Sequence, residues 1–210
     1  MVIRFDGGKI IMDKIKALED LKKEMELDKS LPLRQGATQL VFGEGDPDSD
    51  IYFLGEAPGF WEDQKGRPFV GQAGKLLDKL IESIGLTREK VYISNVVRFR
   101  PLENRDPEPQ EIEAFRPYVD REIEIVDPKI IVTLGRFSMG KFITGATISR
   151  VHGQTYPMRL LGKNVIVIPM YHPAAALRSS EVMRSLQKDF KIIETNFREA
   201  EKEKFEQMEL

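Results

Sequence analysis

The sequence predicts an α/β fold in which a parallel sheet is covered on both faces by helices. Three observations predict it. Short apolar runs at 51–54, 91–97, 129–134 and 165–170 have the composition of strands buried on both sides. Segments whose apolar residues recur at helical spacing separate those runs, as expected where crossover helices join parallel strands. A chain of 210 residues that is 41% hydrophobic and 31% charged can build one domain with a sizeable core. No internal repeat or low-complexity linker divides it.

Taken in order, residues 9–28 carry Ile11, Ile15, Leu18, Leu21 and Met25 at spacings of three and four among Lys and Glu, which predicts an amphipathic helix. After Pro32 the chain reads as irregular as far as the Gly-rich turn at Phe42-Gly43-Glu44-Gly45-Asp46-Pro47. Ile51-Tyr52-Phe53-Leu54 is the first strand, and a long loop from Gly55 to Gly71 leads to a helix over 72–84 that buries Leu76, Leu77, Leu80, Ile81 and Ile84. The second strand, 91–97, runs into a polar loop over 98–109 and a helix over 111–125. The third, 129–134, ends at Gly135 before a short helix over 137–143. The fourth, 165–170, leads through a loop to a helix over 180–200.

Composition excludes several chemistries. Cysteine is absent, which removes disulfides, a thiol nucleophile, zinc–thiolate sites and any cysteine-held iron–sulfur cluster. Two histidines leave almost no room for a multi-histidine metal site. The formal net charge of −2 supplies no global attraction for nucleic acid, so DNA binding needs locally concentrated cations. No apolar run reaches the roughly 18 residues of a membrane span. No basic stretch followed by an apolar one opens the sequence, so a signal peptide is not expected and the cytoplasm is the expected compartment.

In open parallel sheets the working residues gather beyond the carboxyl ends of the strands. Glu56 follows the first strand inside Gly55-Glu56-Ala57-Pro58-Gly59, a loop where backbone can approach a ligand closely. Phe69 stands further along it, in an aperiodic context. Asn95 lies near the end of the second strand, and Tyr171-His172-Pro173-Ala174 follows the fourth. Each has a bland reading: a helix cap or a solvated carboxylate, an amide satisfying a strand end, a structural histidine before proline, a core plug. Their convergence on one predicted edge favours a shared role. His152 has no such context and reads as structural.

These motifs carry a resemblance. Gly55-Glu56-Ala57-Pro58-Gly59, Gly66-Arg67-Pro68-Phe69-Val70-Gly71, Asn95-Val96-Val97 with Arg100-Pro101, and His172-Pro173-Ala174-Ala175 resemble, in this order, the motif set of the family 4 uracil-DNA glycosylases. The likeness extends over about residues 28–195. It implies a three-layer αβα fold on a four-stranded parallel sheet, with residues 1–27 as a helical extension packed on a 28–196 domain and 197–210 as a charged helical tail. One departure is large. The family normally holds a [4Fe–4S] cluster on four cysteines, and the matching positions here are Asp28, Leu31, Phe99 and Phe115. No cofactor is therefore expected, and Leu31, Phe99 and Phe115 are expected to pack together where the metal would sit. A related group that traps uracil covalently has Gln after the motif glutamate and a basic, His-bearing insertion. Ala57 and the absence of such an insertion point to turnover.

The resemblance and the residue chemistry imply one mechanism. Glu56, ionised, favours the cation-like sugar and positions water, while His172 donates a hydrogen bond to uracil O2 as charge accumulates there. Asn95 reads the N3–H donor and O4 acceptor that distinguish uracil from cytosine, Phe69 stacks on the extruded base, and Ala57 belongs to the same uracil pocket. Arg67, Arg98, Arg100 and Arg178 are the expected DNA contacts, and Leu177 fills the gap in the duplex or, equally, packs in the core. The expected partner is uracil-containing DNA, single- or double-stranded, bound by a monomer. Two rivals remain: a glycosylase-like DNA-binding module without turnover, and a glycosylase for another deaminated base such as hypoxanthine or xanthine.

Overall fold

The computed structural model describes the backbone of residues 3–6 and 9–208 and the side chains of residues 13–198. Strands β1 (Ile3–Asp6) and β2 (Lys9–Met12) pair as an antiparallel hairpin. The expected helix over 9–28 is thus corrected at its start. Ile11 belongs to a strand, and helix α1 spans Lys14–Leu27, where the Asp13 carboxylate accepts a hydrogen bond from Lys16 N–H. Leu18, Leu21 and Met25 are buried as the periodicity predicts, but Ile15 is exposed. Residues 1–2 and 7–8 of the expected extension, and 209–210 of the tail, lie outside the described residues.

Next come β3 (Glu44–Gly45), β4 (Ile51–Gly55), α2 (Phe60–Lys65), α3 (Gln72–Ser83), β5 (Tyr92–Asn95) and α4 (Pro109–Val126). They are followed by β6 (Ile130–Leu134), α5 (Arg136–Gly140), α6 (Ile148–Val151), β7 (Tyr156–Leu160), β8 (Lys163–Met170), α7 (Pro173–Ala176) and α8 (Ser180–Met208). The sheet order is β3-β5-β4-β6-β8-β7. The four strands expected from the sequence form its parallel centre. The sheet nevertheless has six strands, because β3 and β7 add antiparallel edges.

Alternation along the central strands explains the layers. Tyr52 and Leu54 of β4 and Ile131 of β6 face a core completed by α1 and α4. Ile51 and Phe53, with Ile130, Val132 and Leu134, face a second core completed by α3 and α8. Both faces are covered, which is why these strands are apolar at nearly every position.

The register decides where the site lies. Gly55 pairs with Asn95, Leu54 with Thr133, and Leu134 with Met170, so the four parallel strands end level with one another. From β4 the chain crosses to β5 on one side and then returns to β6 on the other. The carboxyl ends of β4 and β6 therefore form the switch point at which such sheets open a crevice.

Candidate active site

At that edge lies an open cleft of about 550 Å³, with Glu56, Ala57, Phe69, Asn95, Arg136 and His172 among its lining. Asn95 is buried, and among the described residues no group donates a hydrogen bond to its Oδ1. A buried amide oxygen without a donor is costly, which makes Asn95, in the wall of a cleft, a candidate acceptor for a ligand. The neighbouring strand makes room for it: a Cβ at Gly55 would stand 2.4 Å from Asn95 Oδ1 and 2.5 Å from Phe69 Cζ. Only glycine lets amide and ring approach the strand so closely.

Phe69 is held in a conformation its side chain disfavours, with φ at +52°. Its surroundings over-determine it. Glu62 Oε1 accepts hydrogen bonds from Val70 N–H at 2.8 Å and Gly71 N–H at 2.7 Å. The Arg88 guanidinium donates to the Phe69 carbonyl at 3.0 Å and to the Pro68 carbonyl, and is itself held by Glu44 and Asp78. The Phe69 ring stacks against the His172 ring, centroids 5.6 Å apart and planes 28° from parallel.

His172 precedes Pro173, which favours extended backbone at the histidine and starts α7 at its first position. Its Nδ1 accepts a hydrogen bond from Ala174 N–H at 3.1 Å. An accepting Nδ1 puts the proton of the neutral ring on Nε2, so the imidazole is a donor there. Burial brings the His172 pKa down to about 4, with Glu62 opposing, so the ring is neutral at physiological pH. Gly135, at φ +96°, borders the ring; a Cβ there would stand 3.2 Å from His172 Cβ.

Glu56 lies at the β4 end, where its carbonyl accepts from Val97 N–H at 3.1 Å. Burial, reinforced by the Asp106 carboxylate and opposed by Arg136, pushes its pKa up to about 7. The carboxyl is therefore only about half ionised at neutral pH in the free protein, and not fully charged as a loop glutamate would be. Sequence reasoning missed Arg136, which pairs with Asp106 beside Glu56. Its signal was its position, directly after the Gly135 that ends the third strand. Glu62 was missed too, because nothing local distinguishes it from a solvated helix residue.

The expected DNA contacts separate. Arg178 lines the cleft, and Leu177 beside it is 49% exposed, outside the core. Arg100 donates to Asn104 Oδ1 at 2.8 Å, next to the cleft. Arg67 lies away from the cleft, with Nε 2.7 Å from Glu44. Arg98 is a correction: it is fully buried and cannot reach a phosphate. Its Nη2 donates to Glu122 Oε2 at 2.6 Å, within a network that includes Ser94, Tyr52 and Tyr92. Burial opposes the Arg98 charge, but Glu122 outweighs it and holds the guanidinium pKa above its ordinary value. His152 accordingly has a structural partner, with Nδ1 2.8 Å from Asp189, and its ring packs on Tyr171 in the cleft wall.

The positions matching the iron–sulfur ligands do not fit a cluster, which needs thiolates. Leu31, Phe99 and Phe115 are buried in one core, the two phenyl rings 6.1 Å apart. Asp28 Oδ2 accepts from the Tyr118 hydroxyl at 2.7 Å, and the Arg34 guanidinium carbon stands 4.8 Å from the Phe99 ring centroid. Among the described residues, no group of His, Cys, Asp or Glu could hold a metal ion.

The cleft at the switch point of the parallel sheet is thus walled by an amide, an imidazole that donates from Nε2, a carboxylate and a phenyl ring. The chain belongs to the Uracil DNA glycosylase superfamily, whose family model matches residues 42–194. It is similar to the Type-4 uracil-DNA glycosylase of Sulfurisphaera tokodaii, 50% identical over 84% of this chain and 83% of the relative. The Type-4 enzymes of Archaeoglobus fulgidus (44% identical, 85% of this chain, 92% of the relative) and Thermotoga maritima (40%, 82% and 90%) are also similar.

Proposed function

We propose that this chain excises uracil from DNA by hydrolysing the N-glycosidic bond of an extruded deoxyuridine, leaving an abasic site. The observation that carries the reading is the buried Asn95 amide oxygen, unpaired in the wall of the cleft that also holds Glu56, Phe69 and His172. Asn95 Oδ1 accepts from uracil N3–H while its amide N–H donates to O4, and cytosine presents the opposite pattern. Phe69 stacks on the base, beside His172.

As the C1′–N1 bond breaks, its electron pair passes to the uracil ring, and His172 Nε2–H donates to O2, where the charge collects. The Glu56 carboxylate favours the cation-like sugar and accepts the proton of the water whose oxygen bonds to C1′. The uracil anion then leaves and is protonated by solvent. A neutral imidazole suits this task, because the leaving group needs a hydrogen bond and not full protonation. The reaction as proposed uses side chains and water, and one chain supplies every residue named. Arg100 and Arg178 meet phosphates, and Leu177 fills the stack. A DNA substrate fits the expected cytoplasmic location.

The test is alkaline cleavage of oligonucleotides carrying one uracil or one hypoxanthine, single- and double-stranded. Uracil-dependent breaks are expected, reduced about 100-fold in kcat/KM by Asn95→Ala. DNA binding without breaks would leave a binding module, and stronger cleavage at hypoxanthine would move the substrate to another base.

A further inference from the structure

Helix α2 begins with two aromatic side chains that its own packing does not use. Phe60 is 46% and Trp61 56% exposed, with their rings edge to face at 5.2 Å. The helix is docked from its other side. Buried Asp63 accepts from Thr38 N–H at 2.8 Å and from the Thr38 hydroxyl at 2.6 Å, and Glu62 turns inward to the Val70 and Gly71 amides. The residues flanking the pair in sequence, Gly59 and Glu62, both line the cleft, which brings the backbone of the pair to its rim. The Arg100 guanidinium carbon lies 5.1 Å from the Phe60 ring centroid, and the next residue, Pro101, also lines the cleft. Exposed aromatic surface backed by a cation, beside a cavity, is the composition of a stacking platform for nucleic-acid bases.

We infer that Phe60 and Trp61 stack on a base adjacent to the extruded uracil when the substrate is single-stranded or locally unpaired, with Arg100 toward the adjoining phosphate. The inference rests on the proposed use of the cleft. A nucleotide inside it stays covalently joined to neighbours on either side, and these must pass over its rim. In a duplex the neighbouring bases stay in their own stack and have less to gain from a protein ring, so the platform favours unpaired strands.

Trp61 is the chain's one tryptophan, so its emission reports on this surface alone. Titrating the full chain with a single-stranded oligothymidylate is expected to quench that emission in a saturable, salt-sensitive manner. Trp61→Ala is expected to raise KM about tenfold on a single-stranded uracil oligonucleotide, with kcat within twofold and a smaller effect on duplex. Trp61→Phe should restore most of the loss. Unchanged emission at saturating oligonucleotide, or an unchanged KM in Trp61→Ala, overturns the platform and leaves a surface for another kind of partner. A parallel fall in kcat and melting temperature overturns it in favour of a purely structural role. If the parent chain releases no uracil from any strand, the reading of the cleft fails first, and that result is distinct from all of these.

Discussion

At the scale of single residues, burial acts on Glu56 and His172 in opposite senses. Each is disfavoured in its charged form, so the carboxyl pKa rises to about 7 and the imidazole pKa falls to about 4. Catalysis as proposed needs the ionised carboxylate and the neutral ring. As pH rises from 5, His172 is already neutral, and the reactive fraction grows only as Glu56 loses its proton. The acid limb of kcat/KM on a uracil oligonucleotide should therefore have its midpoint near pH 7, and Glu56→Gln should be slow and flat across it. A limb near pH 4 would instead mean that Glu56 titrates as an ordinary carboxylate or that His172 protonation limits the reaction, and only the second would persist in Glu56→Gln. Because Asp106 raises and Arg136 lowers the Glu56 pKa, a phosphate that draws Arg136 away would move that midpoint upward.

At the scale of elements, the Phe69 loop shows how a disfavoured conformation is kept. A left-handed phenylalanine costs on the order of 1–2 kcal/mol, offset here by two amides on Glu62 and two carbonyls on Arg88. Arg88 comes from the short turn Arg88–Lys90 ahead of β5 and reaches back to the loop that follows β4. Arg88→Ala should loosen the ring and raise KM for uracil DNA about tenfold, with kcat changed less. Arg88→Lys should rescue little, because a point charge cannot replace the planar fork. Steady-state kinetics on one oligonucleotide would check both. If the two variants matched the parent, Phe69 would be held by packing alone.

At the scale of the whole molecule, the positions that the resemblance matches to cluster ligands include three side chains buried in one core. Leu31 follows α1, Phe99 follows β5 and Phe115 belongs to α4, so their contact joins three separate parts of the chain. Replacing Phe99 by Ala removes a buried ring next to Phe115 and Arg34. The expected loss is about 3 kcal/mol, or roughly 10 °C in Tm. The parent should carry no iron by colorimetric assay and should keep full activity in excess chelator. A Phe99→Ala variant that melts with the parent would mean that the 98–109 loop is held elsewhere.

The central strands, the covering helices and the meeting of Glu56, Phe69, Asn95 and His172 at one sheet edge were legible in the linear chain. Apolar runs buried on both faces admit few alternatives, and the glycine- and proline-rich loops mark where those runs end. The edge strands were not legible. Glu44–Gly45 is two residues long, and Tyr156–Leu160 is half exposed and contains Pro157, so neither shows the apolar signature of the centre. Residues 9–12 fit a helical spacing and form a strand, because pairing with 3–6 outweighs a four-residue pattern. The fate of each charge belonged to tertiary structure alone. Arg98 and Arg100 are two residues apart, but only the approach of Glu122 from α4 makes the first an internal counter-ion and leaves the second at the cleft. The proton affinities of Glu56 and His172 were decided in the same way. Sequence names the ionisable group, whereas the solvent and charges around it exist only once distant segments have met.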